Sequence, residues 1–457
     1  MAGRRFIHWS NLMLINEFTD KAKSCLSCLR TITFTAFGIT MFIPASAQEL
    51  VATKPLSPPT QTDWPQWMGP NLSGVSGESG WSTEWPETGL PTKWTQEIGI
   101  GFSSISIADA RLYTMGNLDG SEAVYCFDKG TGKEIWRHSY DCELVAVLYE
   151  GGPGCTPTID DDRVYATGKE GQLMCLDAKT GKLLWQQNLQ EDLGVRLHEW
   201  GFNATPLIVD DQVIVEVGRL ASYNKTTGKK NWQSELHTSG YGSVRAFDFQ
   251  GELLLASLDC DGLRINRSIN GDPLAFEPWP SPFRTNSTTP IIAGDKVYIS
   301  TGYNVGCGLF KLTRSSKQVP IQLEEIYTNR QMRNHFNNSI LYEGHLYGFD
   351  GNSNLGRVVH LKCMNFETGE VLWKHRGLGC GSLMIADGKL ILLSDDGRLI
   401  IAAATPKKYE QLAESQILTG RCWTVPVLHQ GSICARNARG ILVCVSLPVD
   451  DGQDQTE

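Results

Sequence analysis

Aromatic, amide and guanidinium side chains gather in one kind of place in this chain, the short segments just ahead of recurring apolar strands. They are Trp200, Asn203, Tyr241, Arg333, His335, Asn337, Arg421 and Trp423, joined by Tyr303 and Asn304 from a loop after one strand pair. Rings offer flat apolar faces, and amides and guanidinium groups offer directional hydrogen bonds, so the set suits a polar or planar ligand. The competing reading is that these residues cap a channel and satisfy loop backbone. Chemistry beyond binding has little support. No HExxH or GxSxG motif is present, and CxxC occurs only at Cys25–Cys28, inside an N-terminal leader-like segment. No catalytic residue and no metal ligand is assigned. Asp160–Asp162 and Asp210–Asp211 fall on repeated hairpin turns, where a carboxylate serves the turn rather than calcium. Gly377–Gly381 resembles a phosphate loop, but a strand follows it where such a loop must open a helix.

The elements that position these residues repeat. Asp128-Lys-Gly-Thr131-Gly132-Lys-Glu-Ile-Trp136 reads D-x-x-T-G-x-x-x-W, and the pattern returns three times. The copies are Asp177–Gly181–Trp185, Asn224–Gly228–Trp232 and Asn365–Gly369–Trp373. An Asp or Asn side chain can start a tight turn by bonding nearby backbone, and Gly supplies positive φ without steric cost. The apolar run ending in Trp is a strand with a large packing anchor. The gap between Trp232 and Trp373 is three times the spacing from Trp185 to Trp232, so two degenerate copies are expected there, at Trp279 and Ile326. Ile417 marks a seventh outer strand, and Trp94 an eighth with nothing before it.

A second hairpin, with an Asp or Gly turn between apolar runs, occurs eight times, from Ile107–Tyr113 to Leu428–Cys434. Eight inner hairpins and eight outer strands predict an all-β fold, an eight-bladed β-propeller of four-stranded antiparallel blades. An N-terminal strand at Trp94 closes the ring by completing the last blade. The expected organisation is a signal peptide or N-terminal anchor over 1–47 and a linker over 48–62. A Trp- and Pro-rich strap follows over 63–93, then the propeller over 94–447 and a disordered acidic tail over 448–457.

Lys21, Lys23 and Arg30 precede the apolar run Ile32–Ile43, and Ala45-Ser46-Ala47 fits a cleavage site, which predicts export to the periplasm or cell envelope. Without residues 1–47 the net charge falls from −9 to −12, which argues against nucleic acid. Membrane contact is expected only through an uncleaved N-terminal segment, and the chain is expected to be a monomer. Cys126, Cys175, Cys363 and Cys444 share one repeat position and read as small buried residues. Cys142 with Cys155 is the pair best placed for a disulfide.

The run Asp63-Trp64-Pro65-Gln66-Trp67-Met68-Gly69-Pro70-Asn71 is followed by a W-P-x-x-G-x-P-x-x-W segment ending at Trp94 and then by the repeats. Over 63–447 this order resembles the exported bacterial PQQ-like repeat propellers. That family includes quinoprotein alcohol dehydrogenases and a cofactor-free outer-membrane barrel assembly lipoprotein. The resemblance implies a non-enzymatic binding or scaffold module of the envelope, with a protein or glycan partner. A second reading is a dehydrogenase of alcohols or polyols using PQQ and calcium. Such enzymes commonly hold PQQ against adjacent disulfide-bonded cysteines, which this chain lacks, and need Arg or Lys for its three carboxylates. Arg196, Arg333 and Arg421 are the cations expected near the channel mouth. Recognition of an envelope polysaccharide is the third reading.

Overall fold

A computed structural model describes residues 63–449, apart from 145, 147 and 148 and the side chains of 355–357. The expected leader and linker, and the tail from residue 450, lie outside the described residues. Eight four-stranded antiparallel sheets follow in order. Blade one spans 106–141, blade two 158–188, blade three 207–233 and blade four 245–278. Blade five spans 291–329, blade six 340–376 and blade seven 382–416. Blade eight takes three strands from 427–446 and its fourth from Thr92–Glu97, which pairs with Ile441–Ser446 and sets Trp94 opposite Cys444. The ring is therefore closed by the N-terminal strand. Middle strands such as Gln172–Asp177 are buried on both faces because blades pack face to face, whereas an outer strand such as Glu134–Asp141 alternates between core and solvent.

The repeated motif is a turn and a socket. In blade one the Asp128 carboxylate accepts from the Thr131 amide at 2.8 Å and its hydroxyl at 2.7 Å. Asp177, Asn224 and Asn365 hold their turns in the same way. The turn presents its Gly to the preceding blade. A Cβ on Gly132 would lie 2.5 Å from the Trp94 ring, on Gly181 2.5 Å from Trp136, and on Gly228 2.6 Å from Trp185. The indole N–H groups of Trp94, Trp136, Trp185 and Trp373 each donate to a carbonyl of the next blade, those of Lys129, Ala178, Lys225 and Thr405. Each aromatic thus locks one blade to the next. The repeated cysteines stand directly across from these rings, Cys126 from Trp136, Cys175 from Trp185 and Cys363 from Trp373, where a small apolar side chain leaves room.

Even spacing misplaces the degenerate copies. A one-residue bulge precedes every docking position, and its register identifies the true equivalents as Ala275 in blade four, Tyr327 in blade five and Ala413 in blade seven. Trp279 and Ile417 lie four residues too late, beyond their strands, and Ile326 is the bulge residue itself. Trp279 instead turns inward and meets Phe310 edge-on. Tyr327 retains the docking role through a 3.0 Å bond from its hydroxyl to the Phe366 carbonyl. Where Ala275 leaves no ring, Glu252 pairs with Arg267 and Arg314 and ties blade four to blade five.

The described cysteines are all buried and unbonded, so the expected disulfide between Cys142 and Cys155 is absent. Cys142 follows the outer strand of blade one, whereas Cys155 precedes the inner strand of blade two.

The strap crosses the ring. Trp64 exchanges two 2.8 Å backbone bonds with Ile107 of blade one, and the Pro65 carbonyl accepts from Ile159 of blade two. Farther on, the Asn71 carbonyl accepts from Arg245 of blade four, and Val75–Ser76 adds a parallel strand to blade seven. Contacts to such widely separated blades require the segment between them to pass over the axis, and Trp67 lies there.

Candidate functional site

The blade junctions meet around the axis in a belt of hydrogen bonds. The Ser104 amide donates to the Thr156 hydroxyl, Thr156 to Thr205, Thr205 to Ser243, Ser243 to Thr289, and Thr289 to the Asn338 side chain, at 3.0–3.3 Å. Each belt residue is thus gripped by the blade before it. Residues two positions ahead of the belt point at the axis: Phe102, Gly154, Asn203, Tyr241, Ser287 and Phe336 all line one cavity. Three belt residues are followed by Pro, at Thr156-Pro157, Thr205-Pro206 and Thr289-Pro290, and this repeated dipeptide is the signal by which the register could have been found.

The cavity has a volume of about 420 Å³. Trp67 closes it on the strap side, and the junction loops surround its mouth. Seven of the ten expected residues line it: Trp200, Asn203, Tyr241, Tyr303, His335, Asn337 and Trp423. Asn304, Arg333 and Arg421 do not. Arg333 turns away to grip the fully buried Asp350 with Nε at 2.7 Å and Nη2 at 2.8 Å. Asn304 lies 3.4 Å from the same guanidinium. Arg421 pairs with Glu150 and stacks on the outside of Trp423, 4.3 Å from the ring centroid, so it braces the wall. Arg196 is exposed. The sequence reading missed Trp67, Phe102, Tyr149 and Phe336, and the hydroxyls of Thr205, Ser243, Thr289 and Thr424.

The rings form a connected wall. Tyr149 meets Phe102, Phe102 meets Trp423, Trp423 meets Phe336, and Phe336 meets His335, with centroids 4.6–5.5 Å apart. His335 then meets Tyr303. Nδ1 of His335 accepts from the Ser353 amide at 3.2 Å, so Nε2 carries the proton and donates to the Tyr303 hydroxyl at 3.2 Å. Burial pushes the His335 pKa down to about 4, and it pushes Tyr149 up to about 12. Across the cavity Trp200 packs on Tyr241, whose hydroxyl bonds His198. Among the described residues, no Asp, Glu, Lys or Arg lines the cavity.

A buried ionic cluster supports the loop that carries Tyr241. Glu216 bonds His237 at 2.8 Å and accepts from the Gly240 amide at 3.1 Å, while Asp259 lies 3.7 Å from His237 and pairs with Arg264. Burial disfavours charge on His237, but the bond and charge of Glu216, with Asp259, outweigh it and raise its pKa above the ordinary histidine value. A raised folded-state pKa contributes stability that is complete below about pH 6.5 and is lost as pH rises through the folded value. The thermal midpoint should therefore fall more steeply from pH 6 to pH 9 in the wild type than in His237→Asn. Parallel curves would show that folding leaves the His237 pKa unshifted.

The lining does not fit PQQ. Three carboxylates need cationic partners, and Arg333 and Arg421 are engaged behind the wall by Asp350 and Glu150. Among the described residues, no carboxylate lines the cavity to share a calcium ion, and no cysteine faces it.

The fold has many solved relatives. BamB from Moraxella catarrhalis superposes with a TM-score of 0.53 at 15% identity, over 77% of this chain and 98% of that one. Quinohemoprotein alcohol dehydrogenase from Comamonas testosteroni gives 0.58 at 12% identity, over 84% and 80%. The computationally designed protein Ika8 gives 0.51 at 12% identity, over 77% and 99%. Identities this low show the shared propeller and nothing of its chemistry. No curated protein matches the chain. The family model described as outer membrane protein assembly factor BamB matches residues 73–167 and 120–361, more than half of the sequence. By its repeats, its eight blades and this match, the chain belongs to that family of PQQ-like repeat propellers.

Proposed function

We propose that the chain is a non-enzymatic binding module of the cell envelope whose ligand site is the cup at the channel mouth. The observation that carries this reading is the uncharged lining. A dehydrogenase of this architecture needs a base, a cation set for its anionic cofactor and carboxylates for its metal. The cup offers rings, amides and hydroxyls instead, which bind and orient but do not move protons near neutral pH. Its histidine is held neutral, with a pKa near 4. The envelope location is supported by the basic and apolar N-terminal segment and by the family description, which refers to outer-membrane assembly. A protein partner on the outside of the ring is compatible with an occupied cup.

Calorimetric titration of the purified chain with PQQ and calcium, followed by a dye-linked alcohol oxidation assay, tests the reading. Neither saturable heat nor turnover is expected. One-site binding with turnover would overturn it and move the chain to the dehydrogenases.

A further inference from the structure

We propose that the cup binds the neutral end of a glycan, one or two pyranose rings held by aromatic walls and a belt of hydroxyl donors. This inference rests on reading the cup as a ligand site and adds the class of ligand. It starts from hydrogen bonds that the protein leaves open. Thr205, Ser243 and Thr289 each accept one backbone N–H from the preceding blade. The Thr205 hydroxyl also bonds the Cys155 sulfur, but among the described residues those of Ser243 and Thr289 donate to no protein acceptor, so each keeps a proton to give at the cavity wall. Thr285 and Thr424, each 3% exposed, line the same cavity with Oγ1 bonded to no protein atom, and the Trp200 indole N–H is likewise unpartnered. Buried polar groups are rarely left unmatched, because each costs about 1–3 kcal/mol. Several such groups facing one cavity call for a guest rich in oxygen acceptors.

The absence of lining charge among the described residues makes that guest neutral. An anion would lose its hydration without gaining a cation, and a cation would gain no carboxylate. Wall shape narrows the class further. Neighbouring lining rings are inclined to one another by 31–83°. Such a faceted cup offers no parallel slot for a flat quinone or base, which has few acceptors and two extended faces. A chair-shaped sugar has apolar C–H patches for inclined rings and hydroxyl oxygens around its edge for the belt. The volume of about 420 Å³ lies near the low end for small-molecule sites and suits a chain terminus rather than a long polymer.

The purified chain can be titrated with glucose, N-acetylglucosamine and maltose, following tryptophan fluorescence and heat. Glucuronate and glucose 6-phosphate are the charged counterparts, and menadione is a flat neutral probe. A neutral saccharide should saturate one site, with the charged counterparts at least tenfold weaker. Thr424→Val should weaken saccharide binding about tenfold, the effect of losing one hydrogen bond, with unfolding unchanged. Trp423→Ala should abolish it. Menadione binding that depends on Trp423, with no saccharide bound, would overturn the glycan assignment and leave the cup as a binding site. If no probe binds, both readings fall.

Discussion

Trp136→Ala is expected to lower the unfolding free energy by about 3–5 kcal/mol, the range for emptying a buried aromatic site. Trp136 is 7% exposed, rests on Gly181 of the next blade, donates to the Ala178 carbonyl at 3.0 Å and meets Tyr113 at 5.9 Å. Removing the ring opens the seam between blades one and two and takes one donor from that carbonyl, which Arg111 still holds at 2.8 Å. Gly181→Ala should damage the same seam from the other side. Its φ of 72° disfavours any side chain, and the new Cβ would lie 2.5 Å from the Trp136 ring. Because both variants act on one contact, their combination should cost clearly less than the sum of the two. Equilibrium denaturation of the four proteins measures this. A loss below 1 kcal/mol for Trp136→Ala would refute the socket as a source of stability. Blades four and seven, where Ala275 and Ala413 hold the position, show that the ring can be replaced where other contacts join the blades.

Arg436→Met should destabilise the chain by about 3 kcal/mol although it removes a buried charge. Arg436 has no exposed surface and donates to the carbonyls of Met115 and Gly99, at 3.0 Å for Gly99, and more weakly to Asn437 at 3.4 Å. It reaches from blade eight to blade one and so reinforces the seam that the N-terminal strand closes. Burial lowers its pKa to about 9, so it remains charged near neutral pH. Two effects compete on substitution. Relief of desolvation favours Met, but the carbonyls lose charge-assisted bonds of about 1.5–3 kcal/mol each and stay buried. The second effect should win because more than one carbonyl is stranded. Guanidinium chloride unfolding at pH 7 decides the sign, and a more stable Arg436→Met would show that desolvation dominates at the closing seam.

The sequence by itself determined the ring: its class, the count of blades and the closing role of Trp94. These features are legible because they rest on local chemistry repeated at nearly constant spacing. Asp128 and Thr131 build their turn from neighbours in the chain, and each inner hairpin carries its own turn residues at φ near 50°, as at Asp109, Asp161 and Asp387. Six of the seven expected residues that line the cup follow from the same logic, since the segments just ahead of the inner strands approach the axis, and Tyr303 joins them from a loop after a strand pair. Tertiary structure alone decided the rest. Ala275 and Ala413 show no sequence mark of docking, and equal division of a long gap cannot anticipate strands of unequal length. Arg333 and Arg421 were drawn off the lining by Asp350 and Glu150, and Glu150 is 271 residues from Arg421. Trp67 reaches the cavity only because the strap is pinned to blades on both sides of the axis. Which side chain faces the cup depends on hydrogen bonds between blades, and those bonds exist only once the ring has closed.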